Sequence, residues 1–316
     1  MKQTSFGQQT ICDSHVHFVS RSLVEQLGMM AGFADCAAKR VCDKLRWDIP
    51  PQQPCELGKR WVKELDRHGV DRSVLFHTLP GDVHHMATVV RHCPDRFFGF
   101  VTVNPENVGS LRDMCTVIDK SKFRGILLFP ALLHFDLSAS YVRDIFRFAN
   151  ERKLVVFVHC GYLQMSFRNK LGMESSFDLS RGDPLRLQPY AAEFPDVKIV
   201  IPHLGSGFLR ELLMLADLCP NVYTDTSGMG SWTRHIPGRV TAEEALRQVL
   251  DVMGPHRVLF GTDSGCFPRG WRTEVFEQQL ELFEKLKLGS DDVSRVLGRN
   301  FDEVMAVETP QCTSKT

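Results

Sequence analysis

The chain has 316 residues in which 38 basic side chains balance 38 acidic ones, so no net charge draws it to nucleic acid or to an anionic membrane surface. Hydrophobic residues at 43% and charged residues at 24% describe a globular protein with a sizeable core, and no stretch approaches the roughly 20 apolar residues of a membrane span. MKQTSFGQQT lacks the apolar segment of a secretory signal, and the ten cysteines show no CxxC pair, so we expect a cytoplasmic protein with free thiols that acts on a small molecule.

Residues 1–10 read as a polar lead. The first apolar run ends in Asp13-Ser14-His15-Val16-His17-Phe18, and on a strand His15 and His17 point to one face. Neutral imidazole serves zinc, iron and manganese well, so this pair is half of a metal site. Asp13 reads as a carboxylate that supports the strand or orients an imidazole. A long connection follows, from 19 to about 58, and then a helix with Trp61, Val62 and Leu65 on one face stops at Gly69. The second strand ends near His77 and Thr78, where parity is ambiguous and a satisfied core histidine is the stronger reading. His84 and His85 are neighbours and cannot share a face, which argues against a second metal site there.

The third strand ends near Val103, with Asn104 after it, and Ser110 opens a helix carrying Leu111, Met114, Cys115 and Ile118. The fourth closes near Phe129, and Val142, Ile145, Phe146 and Ala149 form the next helical stripe. VVFVHCG places His159 at the end of the fifth strand, with Cys160 pointing the other way, and a second long connection runs from 161 to about 190. KIVIPHLG does the same for His203, ahead of a helix with Phe208, Leu209, Leu212, Leu213 and Ala216. The seventh strand ends at Asp225 and Thr226, where a turn role suits Asp225 better than a pocket role. Tyr162 and Trp232, in the loops after the fifth and seventh strands, are candidates for contact with substrate or a partner subunit. Thr241 and Glu244 make a capping box for a helix that stops at Gly254. RVLFGTDSG then places Asp263 after the eighth strand. A helix with Val275, Phe276, Leu280 and Phe283 is expected to end at Gly289, Ser290 to cap a last short helix, and residues 308–316 to form a disordered tail.

A single histidine closing an apolar strand is more often a hydrogen-bonded structural residue than a ligand. Four strands ending in His-x-His, His, His and Asp are a different matter, because packing alone does not call for that set. Eight buried-looking strands alternating with helices argue for one α/β domain, a single (β/α)8 TIM barrel over residues 11–307 with long loops after the first and fifth strands. The glycine-rich turn of a doubly wound sheet is missing after the first strand, where DSHVHF stands. In such a barrel the strand ends gather at one mouth, which the two long connections would cover.

HxH on the first strand, His on the fifth and sixth and Asp on the eighth resemble the signature of the amidohydrolase superfamily. The segments PDRFFGFVTVNPEN, FPDVKIVIPHLGSG, CPNVYTDTSG and HRVLFGTDSG are most similar to its amidohydrolase-2 branch, which includes the aminocarboxymuconate-semialdehyde decarboxylase-like proteins. Many superfamily members hold two metals bridged by a carboxylated lysine on the fourth strand, but here RGILLFPAL offers Leu127, Leu128 and Phe129. The resemblance therefore implies one divalent metal, zinc first and manganese or iron next. It further implies His15, His17, His159 and Asp263 as ligands, with His203 beside the activated water.

A divalent ion lowers the pKa of water from about 16 toward about 7 and polarises a carbonyl oxygen. Asp263 and His203 are the catalytic pair: Asp263 to carry the proton to the leaving group, His203 to hold the water or a developing oxyanion. The leading expectation is a metal-dependent hydrolase using a metal-activated water on a C–O or C–N bond of a lactone or amide. A metal-dependent decarboxylase of an unsaturated or aromatic carboxylic acid is the alternative, with Arg168, Arg181 and Arg234 as loop arginines able to hold its carboxylate. An inactive metal-binding scaffold is the third reading, disfavoured because a decayed site would not keep ligands and acid–base groups together. A homodimer is the default assembly.

Overall fold

The computed structural model describes residues 1–77, 83–121, 123–174 and 176–306; Thr78 and the expected tail lie outside them. The polar lead is a hairpin in which Lys2–Thr4 pairs antiparallel with Gly7–Gln9. Eight strands follow: β1 (Cys12–Asp13), β2 (Arg72–Phe76), β3 (Phe97–Thr102), β4 (Gly125–Leu128), β5 (Val155–Val158), β6 (Ile199–Ile201), β7 (Val222–Asp225) and β8 (Val258–Leu259). All neighbours are parallel and lie in chain order, and Val16 bridges to Ser264 across the seam between β1 and β8. Helices lie between the strands, so the architecture is a nearly closed (β/α)8 barrel, as the strand–helix alternation predicts.

Alternation along the strands divides the core in two. Val74 and Phe76, Phe98 and Phe100, Leu127 and Phe129, and Val155 and Phe157 fill the barrel interior, while Leu75, Val101, Ile126, Leu128, Val156 and Val158 face the helices. His77 follows the parity of Leu75 and is buried away from the interior, as a core histidine. Cys160 likewise joins the outer layer, opposite His159. Phe76, Phe100 and Phe157 meet edge to face with centroids 5.0–5.6 Å apart and make the floor under His15, whose ring stands 4.7 Å from Phe76. At the other end Phe301 packs on Phe98 at 5.3 Å and plugs the barrel. Gly125 has no room for a side chain: a Cβ would lie 2.1 Å from Phe100 and 2.4 Å from the Val155 carbonyl oxygen.

Regular pairing in β1 and β8 stops four residues short of His17 and Asp263, where continuous strands were expected. Asp13 stands at this point. Its buried carboxylate accepts from the backbone N–H of His15 (2.9 Å) and of Thr262 (3.1 Å) and from Trp271 Nε1 (2.8 Å). A side chain thus shares the stitching of the seam with the backbone bonds from Ser14 N–H to the Phe260 carbonyl (2.8 Å) and from His17 N–H to the Ser264 carbonyl (2.7 Å). Burial pushes its carboxyl up to about 6 against these bonds. Asp13 is therefore a support for the strand and touches no imidazole ring among the described residues.

Several element ends also differ from expectation. The helix assigned to start at Ser110 spans Val108–Ser121, because the Asn107 side chain accepts from the Ser110 N–H and caps it earlier; the Ser110 hydroxyl instead accepts from Asn104 N–H. The helix expected to reach Gly289 is Thr273–Lys285 and turns at Lys287, which has φ 55°. Ser290 lies inside helix Ser290–Ser294 and spends its hydroxyl on the Phe6 carbonyl, so Gly289 is the cap position. The stop at Gly69 and the Thr241–Glu244 capping box stand as read. No helix among the described residues is long and apolar enough to cross a membrane.

The connection after β1 carries helices Arg21–Met30 and Ala37–Leu45, and the one after β5 carries helix Ser166–Lys170. They meet over the mouth in a small separate core of Val24, Leu27, Val41, Cys42, Leu45 and Leu171, with Trp47 against Phe167 at 6.0 Å.

Candidate metal centre

His15 and His17 project from the end of β1 into the mouth, and Asp263 reaches them from the loop after β8. Asp263 Oδ1 is 3.3 Å from His17 Nε2 and 3.8 Å from His15 Nε2, and one donor atom from each of the three lies within 4.8 Å of the others. Such a cluster could hold a divalent ion. His159 stands beside it, stacked on Phe129 at 5.3 Å and 5.1 Å from the ring of His203. It lies outside that tight group. Its Nδ1 is buried with no hydrogen-bond partner among the described residues, a costly arrangement that an ion or a ligand would relieve. The donor set of imidazoles and one carboxylate suits zinc, manganese and iron alike.

A second grouping, His15 with His203 and Asp225, is a hydrogen-bond network rather than a ligand set. Nδ1–H of His15 donates to Asp225 Oδ2 (2.8 Å), and Nδ1 of His203 lies 2.8 Å from Ser227 Oγ and 3.1 Å from the Ser227 carbonyl oxygen. A carbonyl only accepts, so His203 carries its proton on Nδ1; the Ser227 hydroxyl in turn donates to Asp225 Oδ1. Both imidazoles thus keep Nε2 free to act as an electron-pair donor. Asp225 also accepts from the backbone N–H of His203 (2.9 Å) and Ser227 (3.0 Å). Gly228 is required here, since a Cβ would stand 2.8 Å from His203 Nδ1.

The electrostatics follow from burial and these contacts. Burial opposes ionisation of Asp225, but the charge and hydrogen bonds of His15 and His203 outweigh it and hold its carboxyl at about 2. Burial likewise opposes protonation of His15, yet Asp225 raises it above the ordinary imidazole value. For His203, burial and then the neighbouring His15 lower the pKa, and His159 is driven well down by burial, His203 and His15. Asp263 resists the effect of burial because His17 bonds it and His15, His17 and His203 surround it, which keeps it below the usual carboxylate range. Asp263 and His203 both hold left-handed backbone, φ 56° and 60°, which costs about 1–3 kcal/mol each and is held by the packed strand ends.

The pocket above these groups has a volume of about 500 Å³. Leu23, Leu27, Leu45 and Trp47 from the first long connection and Phe167 from the second form an apolar wall, Tyr162 also lines it from the second, and exposed Lys170 and Arg269 bring positive charge to its edge. The arginines singled out from the sequence do not line it. Arg168 binds the Glu174 carbonyl, Arg181 pairs with Asp178 at 2.8 Å, and Arg234 donates to His235 Nε2. Trp232 is 1% exposed and belongs to the core, which excludes direct substrate contact. Asn104 accepts from the Glu106 N–H in a turn, and His84 is exposed 4.0 Å from Asp113. The turn role preferred for Asp225 is real but incomplete. Its inward parity on β7, shared with Tyr223, was the signal of a place in the site. Lys170, Arg269 and Ser227 had no such signal.

A (β/α)8 barrel with imidazoles and a carboxylate gathered at the C-terminal ends of its strands defines the class. The Amidohydrolase family model, amidohydrolase-2 branch, matches residues 12–300, and the chain belongs to that family. Protein fluG of Emericella nidulans is 30% identical over 95 residues, a stretch covering 30% of this chain and 10% of that protein. Among solved structures, 5-carboxyvanillate decarboxylase from Novosphingobium aromaticivorans, complexed with manganese and 4-hydroxy-3-methoxy-5-nitrobenzoic acid, shares the fold with a TM-score of 0.64 at 17% identity, covering 97% of this chain and 100% of that one. A probable 2-pyrone-4,6-dicarboxylic acid hydrolase from Acinetobacter baumannii gives 0.61 at 16% identity, covering 94% and 99%. The family and these neighbours are enzymes, of both hydrolytic and decarboxylating kinds.

Proposed function

We propose that the protein is a hydrolase dependent on one divalent metal, zinc before manganese or iron, that opens a C–O or C–N bond of a small lactone or amide. The observation that carries this is the convergence of His15, His17 and Asp263 donor atoms within 4.8 Å under a pocket of about 500 Å³. His15, His17, His159 and Asp263 would hold the ion, which supplies an acidified water and a polarised carbonyl. Asp263, kept ionised by its imidazole neighbours, takes the proton as the water oxygen bonds to the carbonyl carbon, and returns it to the departing oxygen or nitrogen. His203, neutral and locked as the Nδ1–H tautomer, orients the water with Nε2. Leu23, Leu27 and Trp47 keep bulk water from the reacting carbonyl.

A second reading, decarboxylation, is favoured by Lys170 and Arg269 at the pocket edge, which suit a substrate carboxylate. There the C–C bond breaks, carbon dioxide departs and a proton passes to the ring or alkene carbon. Metal-loaded protein assayed in ¹⁸O-labelled water against lactones, amides and unsaturated or aromatic carboxylic acids tests both. Incorporation of ¹⁸O into a product carboxylate supports hydrolysis; release of carbon dioxide without incorporation would replace it with the second reading. No turnover on any of them with one equivalent of metal bound would overturn both.

A further inference from the structure

On the outer side of the barrel mouth a second cleft, of about 590 Å³, lies between helix Pro54–His68 and the segment 267–274. Phe267 and Trp271 form its apolar floor, and Lys63, Arg67 and Arg269 reach it from exposed positions on both sides. The other charged groups there are already committed. Arg60 stacks on Phe267 at 3.8 Å and pairs with Asp48; Glu64 accepts from the Trp271 N–H (3.1 Å) and faces His68 at 3.4 Å; Glu274 pairs with Arg272 at 3.0 Å. Among the described residues no ion pair or hydrogen bond engages Lys63, Arg67 or Arg269. Even against Glu64, whose carboxylate pairs with no lysine or arginine, and Glu274, which lies in the field of Arg269, these cations leave the concavity net positive in a chain whose charges cancel overall. A bound anion is the direct complement of that charge.

We propose that this cleft binds a small organic dianion, its oxygens shared among Lys63, Arg67 and Arg269 and its carbon skeleton laid on Phe267 and Trp271. The volume falls within the range of small-molecule sites. Arg269 lines this cleft and the metal pocket alike, so the bound anion holds a side chain that also borders the reaction site. Phosphate esters and dicarboxylates share the required chemistry.

Isothermal titration of the metal-loaded 316-residue chain with inorganic phosphate and, separately, with succinate, at constant monovalent salt, tests the proposal. Saturable binding of either probe is expected. It should weaken at least about tenfold in the Lys63→Ala/Arg67→Ala double variant, since each lost charged hydrogen bond is worth a factor of that order. Arg269→Ala should weaken it as well. Saturation by phosphate alone assigns a phosphate ester, and by succinate alone a dicarboxylate. Absence of saturable heat with both probes overturns the proposal. So does equal affinity in the wild type and the double variant, which would locate the anion at the metal pocket instead.

Discussion

Asp225 stands 2.8 Å from one imidazole and, through the Ser227 hydroxyl, is joined to a second, so a single buried carboxylate sets the tautomer of both His15 and His203. Replacing it by Asn keeps the shape but offers His15 Nδ1 an amide in place of a charged acceptor. We expect Asp225→Asn to weaken metal affinity about 10–100-fold, read by titration against a competing chelator, with the fold retained. Affinity equal to wild type would show that the carboxylate only braces the turn. His203→Asn, in contrast, should leave metal content near one equivalent while removing most turnover, measured by elemental analysis beside a rate assay. Loss of the metal in that variant would move His203 from the reaction to the ligand set.

At the level of elements, the strands hold the site rigid and the two long connections shape what enters. Gly125 shows how tightly the strands are fitted: Phe100 and the Val155 carbonyl occupy the space a Cβ would need. Gly125→Ala should cost about 3 kcal/mol or more, seen as a lower midpoint in urea unfolding, because backbone cannot yield as a flexible side chain does. The lid is different in kind. Its small core is separate from the barrel core, and Trp47 both packs on Phe167 and faces the pocket. Trp47→Ala should raise KM several-fold with little change in metal content, whereas loss of metal would mean the lid also braces the ligands.

For the whole molecule, buried histidines tie stability to pH. Burial lowers His77 to about 3, with the nearby His84 adding to the shift. Above about pH 6.5 it is neutral in both folded and unfolded chains and contributes nothing. Below that the unfolded chain takes a proton that the folded chain refuses, so stability falls by about 1.4 kcal/mol per pH unit from this site until about pH 3. His77→Gln should therefore flatten the acid limb of a plot of unfolding free energy against pH by one proton. An unchanged slope would show that His77 protonates in the fold.

Much of this protein was legible in order along the chain. Continuous apolar runs such as Val155–Val158 and the polar residues closing them are local properties, and side chains of a strand alternate between its faces, so the barrel, the face of His15 and His17, and the opposite facing of Cys160 needed no tertiary information. The ends of β1 and β8 were not legible, because Asp13 competes for the backbone donors of a strand that only barrel closure brings beside it. The same holds for the partner of His15, which lies 210 residues away. It holds again for the charges at the pocket: Arg168 and Arg181 look free in sequence but are taken by Glu174 and Asp178 nearby, while Lys170 and Arg269 remain. The strand order and the residues closing each strand determined which strand-end side chains could face the mouth. Which groups are paired and which are left to meet a metal or a substrate was decided by contacts between distant segments, because hydrogen bonding depends on distance in space and not on distance along the chain.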